Sequence, residues 1–376
     1  MAVKQSMRIL GFMTGTSLDA VDMAVLETDG EEIEGFGPAG ERKLDPTCHS
    51  LVLEAIDAAF KWPVGAPEPA AFAAAAAAVA EEHIAAALGF MADNALLPED
   101  IDFIGLQGQT VLHEPPTPDR PVGRTVQLID AASVARALEI PVIYDFRTDD
   151  VAAGGQGAPL APVYHQALVR WSGFHTPCAV LNLGGVANVT LIKADGTLVA
   201  FDTGPANGMV DLLMQARTDH RFDEGGAAAK AGRVDEAILA EYLAHPYFAR
   251  TGPKSLDRYD FPLDPVGGLS LEDAAATLTA FAAEAVSRGV RTASPSPPLR
   301  LVVCGGGRLN PVLMAAIQQR LVLPVITAEE AHWRGDSIEA EAFAYLAART
   351  VMDLPISFPG TTGVPGPMSG GRVVRP

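Results

Sequence analysis

The sequence predicts an α/β protein built from two related halves, and three observations carry this. Short apolar strand patterns alternate with helical periodicities along most of the 376 residues, which is the mark of the α/β class. A strand pair with a small-residue turn opens each half. In the first, Met7–Thr14 and Ala20–Glu27 flank Gly15–Asp19; in the second, Val180–Leu183 and Asn188–Ile192 flank Gly184-Gly185. Finally, a late strand, Leu301–Cys304, runs into a triple glycine, Gly305–Gly307, before a helix over Asn310–Leu321.

Taken in order, Asp29-Gly30 marks a turn after the opening hairpin, and Thr47–Phe60 and Ala70–Asn94 read as helices. The second carries Ala on nearly every face, which predicts close packing against neighbours. Its Ala70–Ala80 run, closed by Glu81-Glu82, is too short to span a bilayer. Phe103–Leu106 is a short buried strand leading to Gln107-Gly108-Gln109-Thr110, and Pro115 to Pro121 is a proline-rich loop. Ala131–Leu138 is helical and Pro141–Tyr144 a strand. Asp145 to Pro162 then reads as one long Gly/Pro loop carrying Arg147 and three carboxylates, a size and composition usual for functional loops. Asp195-Gly196 signals a hairpin that delivers a strand ending at Asp202, before Thr203-Gly204-Pro205. Val210–Arg217 and Val234–Ala244 are helical, and Ser270 caps a helix over Leu271–Ser287. Ser294 to Pro298 is a linker, Pro324–Ile326 a strand, and Asp336 or Ser337 caps a last helix over Ile338–Thr350. The tail from Pro355 is rich in Gly and Pro and reads as irregular chain.

Hydrophobic residues make up 48% of the chain and the formal net charge is -19. The first supplies a large core; the second argues against nucleic acid or an anionic membrane as the main partner. Cys48, Cys178 and Cys304 are widely separated and lack ligand spacing, so neither a disulfide framework nor a zinc site is indicated. The first residues lack a charged start followed by a long apolar region, and a soluble cytoplasmic enzyme is the expectation.

No GK[ST] follows the first glycine turn and no GxGxxG opens a helix, so the P-loop and Rossmann readings fail. Gly15–Asp22 (GTSLDAVD) offers hydroxyls and N–H groups for phosphate and two carboxylates for a divalent ion or its waters; an ordinary polar turn has the same composition. Gly184-Gly185 present backbone N–H groups with no Cβ in the way. Asp202, at a strand end before a Gly-Pro turn, is the candidate catalytic carboxylate. Gly305–Gly307 could face an anion or nucleotide with a helix dipole behind them, or simply allow a close helix–strand crossing. Gln109 could line a polar pocket, Glu339 could complement a helix dipole, and Lys254 could neutralise phosphate. His113, His165 and His332 have no ligand-spaced partners, so surface or satisfied core positions are expected. Taken in order, the three Gly-rich turns, with a carboxylate after the second, match the two-lobed ATPase plan of actin, sugar kinases and heat-shock chaperones.

At this point the chain resembles the anhydro-N-acetylmuramic acid kinases. The blocks that carry the likeness are GFMTGTSLDAVD (Gly11–Asp22), GQT (Gly108–Thr110), TVQ (Thr125–Gln127), DFR (Asp145–Arg147), DVAAGGQGAPL (Asp150–Leu160), LNLGGVANVT (Leu181–Thr190), FDTGPANG (Phe201–Gly208), GPKS (Gly252–Ser255), VCGGGRLN (Val303–Asn310) and EAEAFAYLA (Glu339–Ala347). The resemblance implies an actin-like, ribonuclease H-like fold with ATP in a central cleft and lobes over 1–140 with 364–376 and over 141–363. It implies ATP, Mg²⁺ and 1,6-anhydro-N-acetylmuramic acid as the small molecules bound, no nucleic acid or membrane partner, and a homodimer. Asp202 would be the catalytic base. Gly15, Thr16, Ser17, Leu18, Asp19, Ala20, Val21 and Asp22 would cradle the phosphates with Gly184, Gly185 and Asn188. Gly305 and Gly306 would lie near the adenosine, and Gln109, Arg147 and Glu339 on the sugar side, with Asp19 toward the metal, directly or through water. The family usually has Gly at Ala20, His at Gln107 and Gly at Ala206. The last departure adds a methyl beside the catalytic loop, and Gln107 bears on any hydrogen bond the histidine makes. Another sugar or carboxylate kinase, or a non-catalytic ATP-gated protein, are the alternatives on the same fold.

Overall fold

The computed structural model describes residues 6–15, 18–117, 119–250, 252–256, 260–293 and 296–376. The chain divides into two compact units, Met1–Trp171 with Ser337–Pro376, and Ser172–Asp336.

The first unit opens with strands β1 (Met7–Thr14), β2 (Ala20–Thr28) and β3 (Ile33–Lys43). Helices α1 (Pro46–Phe60) and α2 (Ala70–Asp93) follow, then β4 (Phe103–Leu106), the hairpin β5 (Gln109–Glu114) and β6 (Arg124–Leu128), α3 (Ala131–Leu138), β7 (Val142–Tyr144), α4 (Thr148–Ala152) and α5 (Pro162–Trp171). The second unit contains β8 (Cys178–Leu183), β9 (Val186–Ile192), β10 (Leu198–Pro205), α6 (Asn207–Arg217), α7 (Ala227–Ala231), α8 (Glu236–Leu243), α9 (Leu271–Thr292), β11 (Leu301–Cys304), α10 (Pro311–Arg320) and β12 (Val325–Thr327). The chain then returns to the first unit with α11 (Ile338–Val351) and β13 (Arg372–Val374).

The two main sheets repeat one plan. The first has the order β13-β7-β4-β1-β2-β3 and the second β10-β9-β8-β11-β12. In each, three strands form an antiparallel meander, and the first of them is joined on its other side by two parallel strands. That is the ribonuclease H-like order, present twice, so the weak echo between the two hairpins in the sequence is a repeat of topology. β1 is buried on both faces because helices cover both. Leu10, Phe12, Val21 and Ile104 join Phe90 of α2 and Val134 of α3 in one core, and α11 lies on the other face. A Cβ on Gly11 would stand 2.0 Å from the Ala340 carbonyl oxygen, so only glycine lets α11 approach that closely.

This packing corrects the predicted lobes, 1–140 with 364–376 and 141–363. β7 pairs with β4 and with β13, and α11 sits on β1, so both belong to the first unit. Several elements were not foreseen. β3 was hidden by Gly35, Gly37, Pro38 and Gly40, and it is tolerated as the sheet's edge strand. The strands β5 and β6 on either side of the proline-rich loop carried no assigned element, α4 lies inside the stretch taken as one long loop, and β13 inside the tail taken as irregular. α2 is longer than the alanine run judged too short for a bilayer: by length and composition it could cross one. In the structure Phe72, Val79, His83 and Phe90 form its buried face while other alanines are exposed.

Candidate active site

β10 is an edge strand of the second sheet, and Asp202 lies on it opposite Asn188, just before a register shift between Asp202 and Gly204. Asn188 in turn pairs with Asn182 of β8. Directly paired residues share a face of the sheet, so Asn182, Asn188 and Asp202 form a polar row beside the Gly184-Gly185 turn. The backbone of Asp202 finds partners off the sheet. Its N–H donates to the Lys254 carbonyl (3.0 Å) and its carbonyl accepts from the Tyr247 hydroxyl (2.6 Å). Carboxylate Oδ2 accepts from the Leu256 N–H at 2.8 Å. Burial pushes the Asp202 carboxyl up from 3.8 to about 7, against the Leu256 hydrogen bond and the Lys254 charge, which both pull it down. A base poised near neutrality is what proton abstraction at physiological pH requires.

The Gly184-Gly185 turn is clasped by the start of α6. The N–H groups of Ala206 and Gly208 donate to the Gly185 carbonyl at 3.0 and 3.1 Å, and that of Asn207 to the Gly184 carbonyl at 3.1 Å. Ala206 has φ −119° and ψ −113°, outside the β and α regions open to L residues, and its buried methyl joins the core of the second unit. Gly305 has φ +76°, and a Cβ there would stand 2.1 Å from Asn182 Oδ1 and 2.8 Å from the Leu183 carbonyl oxygen. The glycine triplet therefore packs directly against the end of β8, next to the Gly184-Gly185 turn. Gly306 opens onto a cavity of about 430 Å³, lined also by Asn207, Val210, Phe222, Leu309 and Asn310. One expectation is corrected here. A single 3₁₀ turn, Gly306–Leu309, takes in the last two glycines of the triplet and precedes α10, and the helix N–H groups of Val312 and Leu313 donate to Asn310 Oδ1 at 3.0 and 3.1 Å. Helix α10 therefore points no free donors at the triplet. Arg308 anchors the turn, donating to the Gly305 carbonyl (3.1 Å) and bonding Glu329 and Asp336.

In the first unit the hairpin turn joins β1 to β2. The Leu18 N–H donates to the Gly15 carbonyl at 3.2 Å and Leu18 takes φ +56°. Thr16 and Ser17 lie outside the described residues. Leu18 and Val21 are buried in the core, so any nucleotide contact from them is through backbone. Ala20 and Asp22 are half-buried in the β2 ladder, and Asp19 is exposed.

Gln109, Arg147 and Glu339 all fall in the first unit, although the predicted lobes put Arg147 and Glu339 in the other. Arg147 donates to Gln107 Oε1 and to the Gly157 carbonyl, both at 2.7 Å. Gln107 thus makes a hydrogen bond where the family's histidine would stand. Burial pulls the Arg147 guanidinium down to about 10, opposed by the charges of Glu339 and Asp150. The Glu339 carboxyl is raised by the surrounding protein, with Arg147 opposing. Gln109 starts β5 and is buried, with an Oε1 that has no partner among the described residues; the same holds for Gln127 Oε1 and Asp150 Oδ2. The other oxygen of Asp150 accepts from the Gly157 N–H at 2.6 Å and shapes the Gly154–Leu160 loop. Sequence reasoning assigned no role to Asp150, Gln127 or Tyr247. Asp150 and Gln127 at least lay inside recognised blocks; nothing near Tyr247 in the sequence marks it. His113 bonds Thr125 Oγ1 at 3.1 Å, His165 is buried and His332 exposed, as their isolation suggested.

Two ribonuclease H-like units, each with a glycine-bearing hairpin, and a carboxylate on the last strand of the second meander define an actin-like ATPase fold of the sugar-kinase type. Within that class, the chain belongs to the anhydro-N-acetylmuramic acid kinase family, whose profile matches residues 7–375. It is 62% identical to the anhydro-N-acetylmuramic acid kinase of Caulobacter vibrioides, with 98% of this chain and 99% of that protein covered. To the enzyme of the same name from Phenylobacterium zucineum it is 61% identical, covering 98% and 100%. Among solved structures it is similar to the activator of the 2-hydroxyisocaproyl-CoA dehydratase from Clostridium difficile with bound ADPNP, at 13% identity and TM-score 0.43, covering 92% of this chain and 97% of that one.

Proposed function

We propose that the chain is an ATP-dependent kinase that opens 1,6-anhydro-N-acetylmuramic acid with water and phosphorylates the freed oxygen. The products are N-acetylmuramic acid 6-phosphate and ADP, a step of peptidoglycan recycling. The observation that carries this reading is Asp202, a carboxyl on the edge strand β10 beside its bulge, held near 7 by burial and oriented by the Leu256 N–H. Its carboxylate takes a proton from water as the water oxygen bonds to the anomeric carbon. The bond from that carbon to the bridging oxygen breaks, and the freed oxygen attacks the γ-phosphorus as ADP leaves. Asp202 then returns its proton to solvent. The Gly15 hairpin of the first unit, and Gly184, Gly185 and Asn188 of the second, are each proposed as phosphate-binding turns, and the cavity beside Gly306 as the adenosine site. Gln109, Arg147 and Glu339 hold the sugar, whose hydroxyl and acetamido N–H donors suit the unpartnered oxygens of Gln109, Gln127 and Asp150.

Mg²⁺ would neutralise phosphate charge, and Asp19 is the carboxylate we assign to it, directly or through water. No group of three His, Cys, Asp or Glu stands together among the described residues, a donor set that suits an ion held mainly by phosphate and water. The protein is proposed to be a soluble, cytoplasmic homodimer, which light scattering would check. Incubation with ATP, Mg²⁺ and the anhydro sugar should give the phosphosugar by mass; ADP released without it would overturn the reading.

A further inference from the structure

β10 carries Asp202 on a sheet edge, with no strand on its outer side among the described residues, and two residues distant in sequence stand in for one. We propose that Tyr247 and Lys254 are positioning residues for the reaction, locking Asp202 in place through a closed ring of hydrogen bonds and setting the charge around its carboxylate. This rests on the reading of Asp202 as the base.

The ring has three members. The Asp202 N–H donates to the Lys254 carbonyl at 3.0 Å, Lys254 Nζ donates to the Tyr247 carbonyl at 3.3 Å, and the Tyr247 hydroxyl donates to the Asp202 carbonyl at 2.6 Å. Lys254 Nζ also donates to the Arg250 carbonyl at 3.1 Å, closing the intervening turn on itself. Each residue of the ring fixes the next, so none turns without breaking a part-buried bond. The register shift after Asp202 makes such support necessary, because a bulge on an edge strand leaves its direction weakly specified. Tyr247 is only 2% exposed. The Lys254 ammonium stands 4.5 Å from its ring centroid and the Arg250 guanidinium 5.8 Å, so the ring is pinned by cations. Among the described residues, the charged and titratable groups around the base are Lys254, Tyr247 and Arg250, with Asp260 acting on Tyr247. Of these, Lys254 acts on Asp202 directly, favouring the carboxylate, while Leu256 supplies an uncharged hydrogen bond. Geometry and charge come from the same short segment, so the segment sets both where the base points and when it is ionised.

Tyr247→Phe keeps the ring and removes only the hydroxyl. The expected result is a kcat lower by about tenfold with KM for ATP and sugar unchanged within about twofold, because no substrate contact is lost. Lys254→Met keeps the stem and removes the charge. The acid limb of its kcat/KM profile should move upward from the wild-type position, and Lys254→Arg should bring it back. Asp202→Asn, assayed alongside, tests the underlying reading; near-normal turnover there removes the base and this inference with it. An inactive Asp202→Asn beside a Tyr247→Phe of wild-type kcat and a Lys254→Met with an unmoved acid limb overturns the inference alone. A general loss of melting temperature and of ATP affinity in both variants, with the acid limb unmoved, would mark a merely structural role and also overturn it.

Discussion

Replacing Asp202 by Asn should cost activity and gain stability together, and both effects follow from one displaced carboxyl. Burial holds that carboxyl near 7 rather than 3.8. A base with that value is about one-eleventh ionised a pH unit below and ten-elevenths a unit above, so wild-type kcat/KM should climb about tenfold from about pH 6 to about pH 8. The linkage sign is fixed by the direction. Folding favours the protonated form, so stability is complete below about pH 4, falls as the pH rises toward 7, and is flat beyond. A rise from 3.8 to about 7 corresponds to at most about 4 kcal/mol, less what solvent screens at a half-buried side chain. Asn carries no charge and can still accept from the Leu256 N–H. Asp202→Asn should therefore lose at least about a hundredfold in turnover yet melt a few degrees higher than wild type at about pH 8, with the gap closing in acid. Calorimetric melts at acidic and alkaline pH, with a coupled ADP assay, measure both. A variant that melts lower than wild type at alkaline pH, or that keeps near-normal turnover, refutes the argument, as does a flat wild-type kcat/KM profile.

Gly305→Ala should lose most nucleotide affinity and about 2–4 kcal/mol of stability, since φ +76° disfavours any side chain and the new methyl meets Asn182 and the Leu183 backbone; titration calorimetry and melting would show it, and unchanged ATP binding would count against the placement. Gln107→Leu removes an acceptor of Arg147 and should raise KM for the sugar by about tenfold while leaving KM for ATP alone, whereas Gln107→His should behave like wild type in the same kinetics. Reaction in ¹⁸O-water should label the anomeric hydroxyl and leave the phosphate ester unlabelled; label in the ester would mean that phosphate transfer does not use the bridging oxygen.

What the sequence by itself determined is local. A strand shows as a short apolar run and a turn as Gly-Gly, Asp-Gly or Gly-Pro, because backbone sterics act over a few residues. The α/β class and both glycine hairpins were therefore readable, whereas the strand expected to end at Asp202 runs on past a bulge to Pro205. Where local signals conflict with the element formed, the reading failed, as at β3, whose glycines and proline are affordable only on a sheet edge. The tertiary structure decided what depends on residues distant along the chain. Gln107 and Arg147 are 40 residues apart, and Asp202 and Tyr247 45; no spacing rule records such a pair, since it exists only once the strands are in register. The unit boundaries belong to the same kind. α11 follows β12 in the chain, yet it lies on β1, because Gly11 leaves no Cβ to keep the helix off that sheet.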